Sequence, residues 1–143
     1  MSLCDHSRCQ SHDDANAILY THSPFVTVFA FLGQLIPPYR NTLAHAGGTI
    51  YTSDYANNGT AELANTVVDT LKGRRVCLLR NHGVLAIGDT LRDARYVVSI
   101  IEFCAKIQYQ AMLLGEPEQV PEQYLNELSD HYRSQLKDYN NYS

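Results

Sequence analysis

Residues 76–87 read Val76-Cys77-Leu78-Leu79-Arg80-Asn81-His82-Gly83-Val84-Leu85-Ala86-Ile87. Two short apolar runs flank the polar connection Arg80-Asn81-His82-Gly83. Runs of this kind, bounded by turn residues, are strands. A connection this short argues for an antiparallel pair, because parallel neighbours need a long crossover. His82 therefore lies in a tight turn, and Gly83 is expected to allow an unusual backbone angle there.

The pattern continues in both directions. Ala17 to His22 is β-prone, with Ile18, Tyr20 and His22 on one face, since strand side chains alternate. Ser23-Pro24 starts a helix, with serine as N-cap and proline in the first turn, and Gly33 stops it after Leu32. Pro37-Pro38 breaks regular structure, and Gly47-Gly48 precedes a short strand at Thr49 to Thr52. A second helix begins at Gly59-Thr60 and ends near Lys72-Gly73. Thr90-Leu91-Arg92-Asp93 resembles a capping box with Asp in place of Glu. It opens the longest helix, which runs to about Leu114 and stops at Gly115. That helix is apolar at Val97, Val98, Ile100, Ile101, Phe103 and Ile107, so burial on more than one face is expected. Pro121 starts a last helix, to about Tyr139, and Met1 to His12 is weakly helical. Strands alternating with helices give an α/β or α+β class.

The 143 residues suit a single domain, residues 1–143, with a body at about 14–115 and a helical tail at 116–143. The composition is 45% hydrophobic and 18% charged, which excludes wholesale disorder. The net charge is −4. From Glu116 onward there are six acids and two bases, so the tail carries all of it. Nucleic-acid binding would want a basic surface and is not expected. The N-terminus shows no signal-peptide pattern, and the apolar stretch Ala15 to Pro38 is too interrupted for a membrane span. Cys4, Cys9, Cys77 and Cys104 match no disulfide scaffold, which points to a reducing, cytoplasmic compartment.

Four groups of residues bear chemistry. In Tyr20-Thr21-His22-Ser23-Pro24 a strand ends at a histidine, and positions 20 and 22 share a side, where two groups can reach one metal ion. The same histidine can instead simply pack at the helix start. His82, alone, reads more readily as a structural turn residue than as a ligand; paired with His22 it becomes a second candidate ligand. Zinc takes three or four N, O or S ligands, one position staying open when the metal is catalytic. Cys4, Asp5, His6, Cys9 and His12 form an N-terminal cluster, but the spacing fits no zinc-finger pattern. Finally, there are ten tyrosines and no tryptophan. Tyr124, Tyr132, Tyr139 and Tyr142 lie in the tail and are expected to pack it on the body or on a neighbouring subunit.

Taken together, these residues resemble the class II aldolase/adducin family, which includes fuculose-phosphate aldolase and ribulose-phosphate 4-epimerase. The resemblance runs from about Asp14 to Gly115. It is carried by Ala15 through Pro24, Ile36-Pro37-Pro38, Ala46-Gly47-Gly48, Tyr55, Gly59 through Ala64, Leu79 through Gly83, Gly88 through Leu91, Ala94, Glu102 and Ala105-Lys106. It implies a three-layer α/β/α fold around a mostly antiparallel sheet, lacking the N-terminal part of the family domain. It also implies ring-shaped homotetramers with active sites between subunits, and a zinc ion on three histidines that polarises the substrate's carbonyl.

Carried over residue by residue, the metal ligands fall on His22, His82 and, at the first position of the H-x-H pair, Tyr20. A neutral tyrosine is a poor zinc ligand, because the phenol must lose its proton near pH 10. Zn(2+) is thus expected to be weak or absent. The family's catalytic glutamate would fall at or before Met1, and no Glu precedes Glu62. The place of the catalytic tyrosine falls on Asn41. The resemblance implies a metal-dependent lyase or epimerase acting on a small sugar phosphate or hydroxy acid, with an incomplete active site. A non-catalytic adducin-like assembly module is the alternative. A homo-oligomer, tetramer before dimer, is expected, with no membrane or nucleic-acid partner.

Overall fold

The computed structural model describes residues 16–141. The N-terminal segment with the Cys4–His12 cluster, and Tyr142, lie outside them. Three strands make the sheet: β1 (Ala17–Thr21), β2 (Val76–Leu79) and β3 (Gly83–Gly88), in the order β1-β3-β2. Both pairings are antiparallel, with Thr21 opposite Val84 and Leu79 opposite Gly83. The helices are α1 (Pro24–Leu32), α2 (Ala61–Leu71), α3 (Leu91–Leu114) and α4 (Glu122–Asn141). A 3-10 helix at Asn41–Ala46 was not expected from the sequence. The strand expected at Thr49 to Thr52 is reduced to two isolated bridges. Ile50 pairs with Ile36, and Thr52 pairs in parallel with Leu78.

Both faces of the sheet are covered. Val76, Leu78, Val84 and Ala86 face α1, α3 and the 3-10 helix, in one core with Val26, Phe29, Ala30, Val97 and Ile101. Cys77, Leu79, Leu85 and Ile87 face Leu63, Val67 and Leu71 of α2, with Ile18 and Tyr20 packed against them. Alternate residues of each strand thus enter different cores. Burial on both sides explains why β2 and β3 read as continuous apolar runs and not as alternating ones. The result is the three-layer α/β/α arrangement.

α3 is tied to α1 and to the start of β2 through two carboxylates. Ser23 occupies the N-cap of α1, but its side chain caps nothing there; its hydroxyl pairs with that of Thr21 at 2.8 Å. Glu102 of α3 does the capping: its two oxygens accept from the backbone N–H of Phe25 at 2.9 Å and of Val26 at 3.0 Å. A carboxylate satisfies two orphan donors at once and also faces the positive end of the helix, which a hydroxyl cannot match. Asp93 does more than a capping box requires. Its backbone N–H donates to the Thr90 hydroxyl at 3.1 Å. Its carboxylate accepts from Asp89 N–H at 3.2 Å and pairs with buried Arg75. Gly88 leaves room for that pair, since a Cβ there would lie 2.8 Å from the carboxylate oxygen.

The expectation that α3 is buried on several faces is corrected. A stripe through Ala94, Val97, Val98, Ile101, Cys104, Ala105 and Gln108 is buried, while Phe103 stands 55% exposed. By length and composition α3 alone among the described helices could cross a membrane, but this stripe packs on the sheet and α1.

α4 lies on the 3-10 helix of its own chain. Leu125 is buried, and the Tyr132 ring stacks on His45 with centroids 3.8 Å apart and planes 15° from parallel. Tyr96 meets the same imidazole edge-on at 5.4 Å. His45 is buried, its Nδ1 has no hydrogen-bond partner, and burial lowers its pKa. The Arg75 charge lowers it further, and the Asp93 charge opposes this.

Two outcomes follow from this packing. Asp93→Ala strands a buried guanidinium and should cost about 3–5 kcal/mol in urea unfolding. The fold accepts His45 neutral, so its pKa lies below the unfolded value of about 6.5. Its contribution to stability is full above that pH and shrinks as pH falls below it, down through the lowered value. The urea midpoint should therefore fall between pH 7.5 and pH 5.5, and His45→Gln should flatten that fall.

Candidate active site at the strand ends

The pairing of β1 with β3 decides where the two histidines go. Thr21 stands opposite Val84, so His22, just past the end of β1, comes beside Gly83. A Cβ built on Gly83 would lie 2.4 Å from the Thr21 carbonyl oxygen and 3.5 Å from Cδ2 of His22. His82 is the next residue in the chain, so His22 and His82 share one corner of the sheet. The turn geometry differs from expectation. Asn81, not Gly83, takes the left-handed conformation, at φ 61°, where asparagine is among the better-tolerated residues. Gly83 is needed because any side chain would strike the neighbouring strand. The turn closes with His82 N–H donating to Leu79 C=O at 2.9 Å. Asn81 N–H donates to Ala30 C=O at 3.3 Å, which ties the turn to the end of α1.

Each histidine is already engaged at Nε2. The Tyr20 hydroxyl and His22 Nε2 are hydrogen-bonded at 2.9 Å, with the rings edge to face and centroids 4.9 Å apart. Partial burial raises the Tyr20 pKa, so the phenol keeps its proton at neutral pH. His82 Nε2 lies 2.9 Å from the Ala56 carbonyl oxygen. A carbonyl only accepts, so this nitrogen carries the hydrogen. Tyr55 stacks on the His82 ring, 8° from parallel at 5.7 Å, and its hydroxyl donates to Asn57 Oδ1 at 3.1 Å. Tyr55 and the Ala56 carbonyl are thus part of the corner. The sequence marked Tyr55 only as a matching position, because nothing local shows that residues 55–57 fold back over the turn. Asn41 opens the 3-10 helix, which packs on α3 and α4.

These residues do not fit a zinc centre of three protein ligands. Among the described residues no group of three His, Cys, Asp or Glu side chains is placed to hold a metal. The Tyr20 phenol is protonated, and both Nε2 atoms have partners. What the corner offers is hydrogen bonding from two imidazoles and a phenol at the mouth of a rigid sheet.

Gly83→Ala tests the placement of this corner. The added methyl would meet backbone, which cannot rotate away, so a loss of about 1–3 kcal/mol is expected in urea unfolding. The Tyr20 and His82 ring signals should shift together in NMR spectra.

Residues 4–109 match the family described as class II aldolase and adducin N-terminal domain. A 5-deoxy-D-ribulose 1-phosphate aldolase of Bacillus thuringiensis is 36% identical over 120 residues, 84% of this chain and 56% of that one. A 5-methylthioribulose-1-phosphate/5-deoxyribulose-1-phosphate aldolase of Rhodospirillum rubrum is 34% identical over 130 residues, 90% of this chain and 59% of that one. Among solved structures, an L-fuculose 1-phosphate aldolase superposes with a TM-score of 0.84 at 35% identity, covering 87% of this chain and 58% of that one. The chain therefore spans between half and three fifths of the length of these relatives. On the family match and these identities, the chain belongs to the class II aldolase and adducin family.

Proposed function

We propose that this chain forms part of the active site of a lyase or epimerase acting on a small sugar phosphate, with a hydroxy acid as the alternative substrate. The observation that carries this reading is the meeting of His22 and His82 at one sheet corner, in a chain that superposes on an L-fuculose 1-phosphate aldolase. The corner supplies polar groups that can bind and orient a carbonyl or hydroxyl. It supplies no carboxylate base, so the site is incomplete within these residues. Weak or absent zinc belongs to the same proposal, as does a reducing, cytoplasmic setting, which the buried thiols Cys77 and Cys104 suit. The activities carried by the relatives' names do not favour a purely adducin-like assembly role.

Self-association is part of the proposal. Phe31 and Leu32 of α1, and Phe103, Met112 and Leu113 of α3, are large apolar side chains left exposed. A homo-oligomer, tetramer before dimer, would cover them. Light scattering at micromolar concentration should give a mass well above 16.1 kDa. A monodisperse monomer would reject this part.

The reaction itself is tested with L-fuculose 1-phosphate and 5-deoxyribulose 1-phosphate as trial substrates. Loss of a general base typically costs about 10²–10⁴-fold, so cleavage should be that much slower than by a full-length relative. It should fall further in His82→Ala. Turnover at the relatives' rate would overturn the incomplete-site reading. Neither binding nor turnover of any sugar phosphate, read by ligand-observed NMR, would overturn the lyase reading.

A further inference from the structure

We infer that Tyr20 is a latch on His22, and that the corner works as a metal-free hydrogen-bonding site. The inference rests on the reading of Tyr20, His22 and His82 as the site, but not on the reaction proposed for it. Three observations carry it. The Tyr20 hydroxyl lies 2.9 Å from His22 Nε2. Whichever atom donates, that nitrogen has no lone pair free for a cation: it either accepts the phenol's hydrogen or carries its own. His82 Nε2 faces the Ala56 carbonyl oxygen at 2.9 Å and must carry a hydrogen there. Nε2 of His82 is thus closed to a metal as well, by an independent contact from a different loop. Finally, no third His, Cys, Asp or Glu among the described residues completes a set.

The arrangement is held from several sides. Tyr20 and His22 are two residues apart across the end of β1, and their rings meet edge to face, so the pair is fixed by the strand itself. Tyr55 lies flat over His82 and restrains its ring against the Ala56 carbonyl. A cation approaching either Nε2 must break that nitrogen's hydrogen bond before it gains the ligand. Tyr20 therefore does more than omit a ligand from the first position. It actively competes for the second, and so acts as a positioning residue that fixes the His22 ring for hydrogen bonding to an uncharged substrate oxygen.

The test reads metal binding on the free protein, with no substrate present, so its failure is distinct from failure of the lyase reading. Wild type, Tyr20→Phe and Tyr20→His are each titrated with Co(II), followed by visible absorption, and with Zn(II), followed by elemental analysis after gel filtration. Thermal unfolding confirms that each variant is folded. Wild type should retain no stoichiometric metal. Tyr20→Phe keeps the ring and removes only the hydroxyl, so it should bind Co(II) about 2- to 10-fold more tightly, the worth of one net hydrogen bond. Tyr20→His should bind more tightly still and give a tetrahedral cobalt spectrum. In ¹⁵N NMR at constant pH, the His22 Nε2 signal should move between wild type and Tyr20→Phe, as expected when its hydrogen bond is removed. The inference is overturned if wild type holds one equivalent of metal that His82→Ala abolishes. It is equally overturned if Tyr20→Phe binds no more tightly than wild type, or if all three proteins show the same low uptake.

Discussion

The close approach of Gly83 to the Thr21 carbonyl is the constraint on which the rest depends. It fixes the register of β1 against β3, and one residue of slip would exchange the two faces of β1. Ile18 and Tyr20 would then leave the α2 side, and Leu19 would leave the α1 and α3 side. The same contact carries His22 to the turn that holds His82. Core formation and site formation are therefore one event here: the strand pair that buries Leu85 and Ile87 also assembles the polar corner.

α3 secures this arrangement from one side of the sheet. Its first turn holds Asp93 on the buried Arg75, and its middle holds Glu102 on the start of α1. Glu102 satisfies two backbone donors of α1 that would otherwise be orphaned, while Asp93 neutralises a buried guanidinium from the chain entering β2 and accepts from the nearby Asp89 N–H. The start of α1 follows His22 by two residues, so Glu102 indirectly holds the chain leaving the site. The end of α1 is tied to the turn by Asn81 N–H on Ala30 C=O. Both ends of this helix are thereby coupled to the histidine corner.

The attachment of α4 is built differently. α4 rests on the 3-10 helix through Leu125 and an aromatic stack on a neutral imidazole. A stack over a buried histidine with an unpartnered Nδ1 is pH-sensitive, unlike aliphatic packing. The tail is thus joined to the body by a contact whose strength depends on His45 staying uncharged.

The sequence by itself determined the strands β2 and β3, the turn between them and the spans of α1, α2, α3 and α4, because their signals are local. Continuous apolar runs, a serine–proline start, threonine at two N-caps and glycine stops each act within a few residues. It also singled out Tyr20, His22 and His82 by their place at strand ends. Tertiary structure alone decided the rest. The segment at 49–52 reads as a strand but makes only bridges, since its pairing partners are Ile36 and Leu78, distant in sequence. Ser23 looked like the capping side chain, yet a carboxylate 79 positions later, Glu102, reaches the same donors with charge and takes the role. Gly83 looked like a residue chosen for its backbone angle and is instead required by a carbonyl on another strand. Whether His22 and His82 present open nitrogens was also invisible in the sequence. That depends on a phenol folding back two residues and on a carbonyl 26 residues upstream, and hydrogen bonds between such partners exist only once the chain is packed.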